Sequence, residues 1–251
     1  MIVAIIPARY GSTRFPGKAL ASVLGTTMVQ RVYEQVKKSR LIHDVVVATD
    51  DERIAEHVRT FGGKVVMTSP DHPSGTDRCF EAVKQLPHPY QYIINVQGDE
   101  PFLEPEQIDE LASVLQAGEV ELATQMIPVA TYDELFDRGE VKIVLNTRSE
   151  ALYFSRMPIP FLKGVPEKEW HLHHRYYRHV GMYAYRRDVL EKITRLPVSE
   201  LEKAESLEQL RWLENGFAIK CVVTRWESHC IDTPEDLEKV VAWHSRNKKL
   251  T

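Results

Sequence analysis

The stretch "IVAIIPARYGSTRFPGKAL", Ile2–Leu20, decides how the chain is read. Its first five residues are a continuous apolar run and read as a buried strand. The run breaks at Pro7 into a loop that carries Gly11, Ser12 and Gly17 and the cations Arg9, Arg14 and Lys18. A phosphate-binding P-loop has four residues between its glycines and a Ser or Thr after its lysine. Here five residues separate Gly11 from Gly17, and Ala19 follows Lys18. The loop lacks the hydroxyl that would hold a metal. It keeps backbone N–H donors and three cations, which together can surround a triphosphate. A solvated basic turn is the plainer alternative, and the loop alone does not choose between them.

Outward from that strand, apolar runs alternate with helical segments. Met28, Val32 and Val36 form one helical stripe in "MVQRVYEQVKK". "DVVVAT" is the next strand, and "DDERIAEHVRTF" is a helix stopped at Gly62-Gly63. "KVVMT" is a third strand, followed by a polar loop and a helix from about Thr76 to Leu86. "YIINV" is a fourth, leading through "QGDEPF" to a helix that opens near Pro105. This alternation predicts an α/β fold with a parallel sheet and helices on both faces.

After about Glu121 the pattern changes. "ELATQMIPV", "VKIVLN", "ALYFSR" and "RHVGMYAY" read as strands with few helices between them, as antiparallel edges or a flap. "LEKAESLEQLRWLENG" reads as one helix stopped at Gly216. The strand "AIKCVVT" follows, then a last helix with Thr233 as N-cap and Pro234 at its first position. The expectation is one domain over residues 1–251 with a sub-lobe at roughly 121–190, and Phe161–Arg175 as its most mobile loop.

Composition narrows the function. The chain has 251 residues, 43% hydrophobic and 27% charged, as expected of a soluble globular protein. A net charge of −4 gives no overall attraction to nucleic acid or to an anionic membrane. No apolar run is long enough to span a bilayer, so no membrane insertion is expected. The cysteines Cys79, Cys221 and Cys230 are odd in number and without C-x-x-C spacing, which fits a reduced, cytoplasmic chain.

In a doubly wound sheet, ligands bind beyond the carboxyl ends of the strands. Four such ends carry polar residues and glycines here: the opening loop, "TDD", "SPDHPSGTDR" and "QGDEP". Magnesium binds through one or two carboxylates plus phosphates and water, so Asp99 of "QGDEP" is the natural candidate. Its alternative is a strand-end turn that caps the next helix. Asp232 stands just before the cap of the last helix and is free for another role. Glu205, Glu208, Gln209 and Trp212 share one helical face, which by itself reads as solvated. His171, His173, His174 and His179 suggest either a zinc site or scattered loop histidines, and the second is favoured because no cysteine accompanies them.

The motifs "PARYGSTRFPGKAL", "VVVATDDERI", "MTSPDHPSGTDR", "NVQGDEPF", "ALYFSRMPIPF", "RHVGMYAYR", "ESLEQLRWLENG" and "IDTPEDL" run through the chain in order. In this combination the sequence resembles the 3-deoxy-manno-octulosonate cytidylyltransferase family. The resemblance implies a nucleotide-diphosphosugar transferase-like fold: a mixed, mostly parallel central sheet flanked by helices, with a small antiparallel sub-lobe. It implies transfer of the cytidylyl group of CTP to the anomeric hydroxyl of 3-deoxy-D-manno-octulosonate (Kdo), with loss of pyrophosphate. The product, CMP-Kdo, feeds lipopolysaccharide biosynthesis. A cytoplasmic, Mg2+-dependent homodimer is implied as well.

By the same resemblance, Arg9, Gly11, Ser12, Arg14 and Lys18 bind the triphosphate. Ser74, Gly75, Arg78 and Gln97 fall on the cytosine and ribose side, with Gln97 shared with the sugar. Asp99 and Asp232 match the metal carboxylates, and with Arg14 and Lys18 they form the catalytic set. Arg156, His179, Tyr183, Glu205 and Gln209 match the sugar site, which turns the polar helix face inward. Two positions depart from the family pattern. Ala19 stands for a usual Pro, and Asn146 for a usual Asp in what reads as a turn. The competing readings are a cytidylyltransferase for another acidic sugar, a non-catalytic nucleotide binder, and a glycosyltransferase of related fold. The last lacks its usual D-x-D motif near the fourth strand, which reads G-D-E.

Overall fold

The opening apolar run is strand β1 (Ile2–Ala8), and its residues 2–6 are almost wholly buried. Each such Val or Ile contributes roughly 1.5–3 kcal/mol by leaving water, so this strand anchors what surrounds it. The computed structural model describes residues 1–12, 14–227 and 229–247, the last four as backbone. Two compact units are present: Met1–Ala112 together with the chain from Trp226 onward, and Ser113–Arg225.

In the first unit β1 is followed by a short hairpin, β2 (Ser22–Val23) and β3 (Thr26–Thr27), and by helix α1 (Met28–Val36). Then come β4 (Asp44–Thr49), α2 (Glu52–Thr60), β5 (Val65–Met67), α3 (Gly75–Gln85), β6 (Tyr92–Asn95) and α4 (Pro105–Gln116). β1 pairs in parallel with β4 on one side and β6 on the other, and β4 with β5. The helices bury the predicted stripes: Met28, Val32 and Val36 on α1, and Ile54, Ala55 and Val58 on α2. Gly62 leaves α2 at φ 74, a backbone angle that a Cβ disfavours.

In the second unit the elements are β7 (Leu122–Pro128), α5 (Tyr132–Phe136), β8 (Lys142–Leu145), β9 (Ala151–Ser155) and α6 (Trp170–His173). They continue with β10 (Tyr177–Arg186), α7 (Arg187–Ile193), α8 (Glu200–Glu205), α9 (Glu208–Glu214) and β11 (Lys220–Val223). β10 is antiparallel to both β7 and β8, β8 is antiparallel to β9, and β11 is parallel to β7. The chain then returns to the first unit as α10 (Pro234–Asn247), where Thr233 accepts the Asp236 N–H at 3.2 Å as the predicted N-cap. The fold class is the expected one: mostly parallel strands flanked by helices, with antiparallel pairing concentrated after β7.

Three local expectations change. The single helix before Gly216 is two helices, because Ser206 takes a left-handed conformation (φ 55, ψ 49) between α8 and α9. The break lets the Glu205 carboxylate accept the Ser155 hydroxyl at 2.6 Å and the Arg156 N–H at 3.0 Å, both from the end of β9. The region after Glu121 holds more helix than its strand-like runs suggest, α7 above all, which buries Val189, Leu190 and Ile193. Phe161–Arg175 contains its own core residue: Trp170 is buried with Leu135 and Tyr176, and its indole donates to the Val165 carbonyl at 2.9 Å.

Asn146 sits in the predicted turn. Its side-chain oxygen accepts the N–H of Arg148 and Glu150, and its amide donates to the Glu150 carboxylate at 2.7 Å. An Asp would place two carboxylates together there, which accounts for the amide. No helix among the described residues is long and apolar enough to cross a membrane.

Candidate active site

Because β1, β4, β5 and β6 run parallel, their carboxyl ends share one edge of the first unit. A cavity of about 270 Å³ lies there. The segment after β1 lines it with Arg9, Ser12, Arg14, Lys18 and the backbone before them. The loop into α3 adds His72, Ser74, Gly75 and Arg78. The segment after β6 adds Gln97, Gly98 and Asp99, and Asp232 enters from just before α10. All the predicted nucleotide and catalytic residues except Gly11 therefore line one cavity.

Close backbone approach builds it. A Cβ on Gly98 would sit 2.9 Å from the Pro7 carbonyl oxygen, so only glycine lets the β6 loop pass over the end of β1. Within the opening loop the Tyr10 ring has the Arg53 guanidinium 3.3 Å from its centre, a cation–π contact, while Asp51 holds Arg53 in a forked pair.

The charges converge on one point. Lys18 Nζ lies 2.7 Å from Asp99 Oδ2 and 3.2 Å from Asp232 Oδ1. Arg14 reaches the other Asp232 oxygen at 2.9 Å. Burial pulls the Lys18 pKa down, but the charge and hydrogen bond of Asp99 and the bond to Asp232 outweigh it and hold it above the ordinary lysine value. Asp99 Oδ1 is buried with no hydrogen-bond partner among the described residues.

The rim of the cavity at α3 is a helix N-terminus. Ser74 is its N-cap, accepting the Asp77 N–H at 3.2 Å. The N-terminal end of a helix dipole favours an anion. Arg78, one turn on, is buried and already committed: it donates to Thr68 at 2.6 Å and to Asp50 at 3.0 Å. Its role in the lining is a fixed positive wall rather than a free arm.

The five remaining predicted residues lie in the second unit. Arg156 and Glu205 are tied together, since the Arg156 N–H meets the Glu205 carboxylate and its Nε donates to the Glu205 carbonyl at 2.9 Å. His179 and Tyr183 lie on β10 on either side of a register shift between Val180 and Tyr183. In a regular strand residues four apart stand about 13 Å apart. Here the bulge brings the two rings to 5.2 Å. Thr124 of β7 meets His179 Nε2 at 2.9 Å. Tyr183 packs edge-on to Trp212 at 5.0 Å, and Gln209 is buried on the same helix. Of the helix face that reads as solvated in isolation, Gln209 and Trp212 on α9 are buried, while Glu208 beside them and Glu205 on α8 are half-buried. Burial pushes His179 down to about 3 and raises Tyr183 above the usual phenol range. The Tyr183 hydroxyl and the Trp212 indole N–H are buried without hydrogen-bond partners among the described residues.

A family model described as cytidylyltransferase matches residues 3–223. A 3-deoxy-manno-octulosonate cytidylyltransferase of Cytophaga hutchinsonii is 55% identical over 240 residues, covering 95% of this chain and 96% of that one. The chain belongs to this family. A second member, from Parabacteroides distasonis, is 52% identical over 96% of this chain and 97% of its own length. A solved CMP:2-keto-3-deoxy-manno-octonic acid synthetase complexed with CTP is 42% identical, with a TM-score of 0.90 over 98% of this chain and 99% of that chain. A 4-diphosphocytidyl-2C-methyl-D-erythritol synthase from Anaerococcus prevotii shares the fold alone, at 16% identity and a TM-score of 0.62 over 97% of this chain and 98% of that one. Membership makes the chain a nucleotidyltransferase.

For this cytidylyltransferase the donor set suits a hard divalent cation. Two carboxylates face each other across Lys18, and one carboxylate oxygen is buried and unpartnered. Reading the sequence for ligands passed over two neighbours. His72, paired with Glu81, lines the cavity two residues before Ser74. Cys230 places its sulfur with the carboxylate oxygens of Asp99 and Asp232, all three atoms within 4.8 Å of one another. Its position two residues before Asp232 was the available signal, because alternate residues of an extended segment face one way.

Proposed function

We propose that the chain transfers the cytidylyl group of CTP to the anomeric hydroxyl of Kdo, forming CMP-Kdo and pyrophosphate for lipopolysaccharide biosynthesis. One observation carries the chemistry: Asp99 and Asp232, far apart in sequence, meet at Lys18 on the edge of a cavity lined by cations. The names of the close relatives carry the choice of nucleotide and sugar.

The triphosphate is held by the N–H groups of the opening loop, Gly11 among them, by Ser12, and by Arg9, Arg14 and Lys18. Ser74, Gly75, Arg78 and Gln97 hold the nucleoside. Arg14 and Lys18 offset the charge that grows on departing pyrophosphate, where fixed cations contribute most. Mg2+ on Asp99 and Asp232 supplies Lewis-acid polarisation of the phosphate. With the carboxylates so occupied, the Lys18 ammonium would be free to face phosphate, since Asp99 and Asp232 are its present partners. In the second unit Arg156, His179, Tyr183, Glu205 and Gln209 hold the sugar. The buried Tyr183 hydroxyl, which meets no close hydrogen-bond partner among the described residues, supports a polar occupant there. The protein acts as one catalytic domain, as a homodimer in the cytoplasm.

Pyrophosphate release tests the reading, with CTP set against the other nucleoside triphosphates and crossed with a panel of acidic sugars. CTP with Kdo should give the fastest release, and only with Mg2+ added. Turnover of a nonulosonate but not of Kdo would replace the sugar, and CTP binding without any release would leave a nucleotide-binding protein. Sedimentation at assay concentration checks the dimer.

A further inference from the structure

The segment before α10 has an alternating order. Ile231 is fully buried, packed with Val23, Met28 and Val240, and its N–H donates to the Asp99 carbonyl at 3.0 Å. That hydrogen bond fixes the register of the segment against Asp99. The side chains on either side of Ile231 are thereby turned the other way, and both face the Asp99 carboxylate. One is Asp232, and the other is Cys230. The result is a site with two oxygens and one sulfur, not oxygens alone.

We propose that Cys230 makes the Asp99–Asp232 pair a three-donor site that binds thiophilic divalent cations, such as Zn2+ and Cd2+, more tightly than Mg2+. The proposal rests on the reading that this pair holds a divalent cation. Thiolate favours borderline and soft ions, and Mg2+ gains nothing from it, because it prefers oxygen and keeps its water. The three donor atoms lie within 4.8 Å of one another. Bonds of about 2.3 Å to sulfur and 2.0–2.2 Å to oxygen need a modest contraction from there, which side-chain rotation provides. The buried, unpartnered Asp99 Oδ1 is the oxygen best placed to bind without losing a hydrogen bond. Cys230 is exposed, so an ion reaches the sulfur from solvent. Binding replaces the thiol proton, which passes to buffer, and no oxidation is involved. Cys79 and Cys221 are buried and offer no such access. The consequence is a protein in which a thiophilic ion displaces both Lys18 and Mg2+ from the carboxylates.

Cd2+ titration of the full chain, followed by the ultraviolet thiolate-to-cadmium charge-transfer band, tests this directly. Mg2+ affinity is measured in parallel by calorimetry with CTP present. The wild type should develop the band with one equivalent. Cys230→Ser should lose it and weaken Cd2+ binding by at least about tenfold, the range known for losing even an outer-sphere partner of a metal ligand. Its Mg2+ affinity should change less than twofold, and a thermal melt confirms that it is folded. Asp99→Asn should weaken both ions. A band that survives in Cys230→Ser, or one that ignores Asp99→Asn, overturns the proposal. If Mg2+ binding also ignores Asp99→Asn, the metal reading of the carboxylates falls with it. If Mg2+ needs Asp99 and no thiolate band appears, only the role of Cys230 falls.

Discussion

The two places where the proposed functional side chains gather are built on opposite principles. In the first unit, the cavity is a meeting of charges at strand ends: Lys18 between Asp99 and Asp232, with Arg14 beside them. These groups are paired with one another, save for the buried Asp99 Oδ1. In the second unit, buried Thr124, Tyr183, Gln209 and Trp212 and half-buried His179 form a polar cluster with aromatic walls and few charges. Its polar atoms are held by burial and by a strand bulge rather than by ion pairs. The first arrangement suits a substrate whose charge changes during reaction. The second suits one that must be shaped and oriented. Substitutions should therefore act differently in the two places, on rate in one and on stability in the other.

The largest expected effect is on rate. Asp99→Asn keeps the shape of the side chain and removes a carboxylate charge. Losing several kcal/mol of electrophilic stabilisation corresponds to a fall on the order of 10³-fold in kcat. Folding should be largely kept, because Asp232 remains within 3.2 Å of Lys18. Pyrophosphate release and a thermal melt measured on the same sample check both halves. Near-normal release would remove Asp99 from the reaction and undo the contrast between the two regions.

The buried cluster should respond to acid instead. The His179 pKa is held at about 3, against 6.5 for a free histidine, by burial. Between these values the unfolded chain binds a proton that the folded one refuses. Stability therefore falls as pH drops below 6.5 and stops falling from this cause near 3, with no contribution above 6.5. The limiting slope is about 1.4 kcal/mol per pH unit for one proton. Urea melts from pH 7 to 4 should show this slope in the wild type and a shallower one in His179→Gln. Parallel curves would mean that His179 takes up its proton freely in the fold.

The two regions also differ in how far the sequence discloses them. Strand ends are legible because a parallel sheet brings every carboxyl end to one edge, so "QGDEP" and the opening loop point to one cavity even though 81 positions separate Lys18 from Asp99. Asp232 is legible for a related reason: standing just outside a helix cap, it had no structural task. The cluster around His179 is not legible by pattern. A regular strand would separate His179 from Tyr183, and only the bulge at Val180–Tyr183 brings them together. The helix run Leu201–Asn215 carries an unbroken apolar period, and nothing in it announces a left-handed Ser206. In this region the sequence reading depended on resemblance. Cys230 shows a third kind of gap: it was legible by its spacing from Asp232, but a cysteine among acids reads as filler until the fold places the three together.

A smaller effect tests how the cavity is held open. Gly98→Ala puts a methyl group 2.9 Å from the Pro7 carbonyl oxygen, a backbone atom that cannot swing away. Relief requires the β6 loop to lift from β1, and overpacking of this kind costs about 1–3 kcal/mol. A lowered urea midpoint together with a raised KM for CTP is the expected pair of results. An unchanged midpoint would mean that the loop has room to move, and that charge rather than close backbone contact sets the cavity.

Ser206→Gly should have the smallest effect and the opposite sign. A non-glycine residue at φ 55 carries roughly 1–2 kcal/mol of steric strain. Glycine removes it but returns about 0.5–1 kcal/mol as added freedom of the unfolded chain. The net is a gain of about 0.5–1 kcal/mol, visible as a raised urea midpoint with an unchanged slope. The backbone carbonyl of Ser206, which Arg156 reaches at 3.5 Å, is kept in the variant, as are the Glu205 contacts to Ser155 and Arg156. The gain should therefore come without a change in KM for the sugar. If stability falls instead, the serine side chain itself holds the break between α8 and α9. The ordering of Glu205 would then depend on that hydroxyl rather than on the left-handed turn.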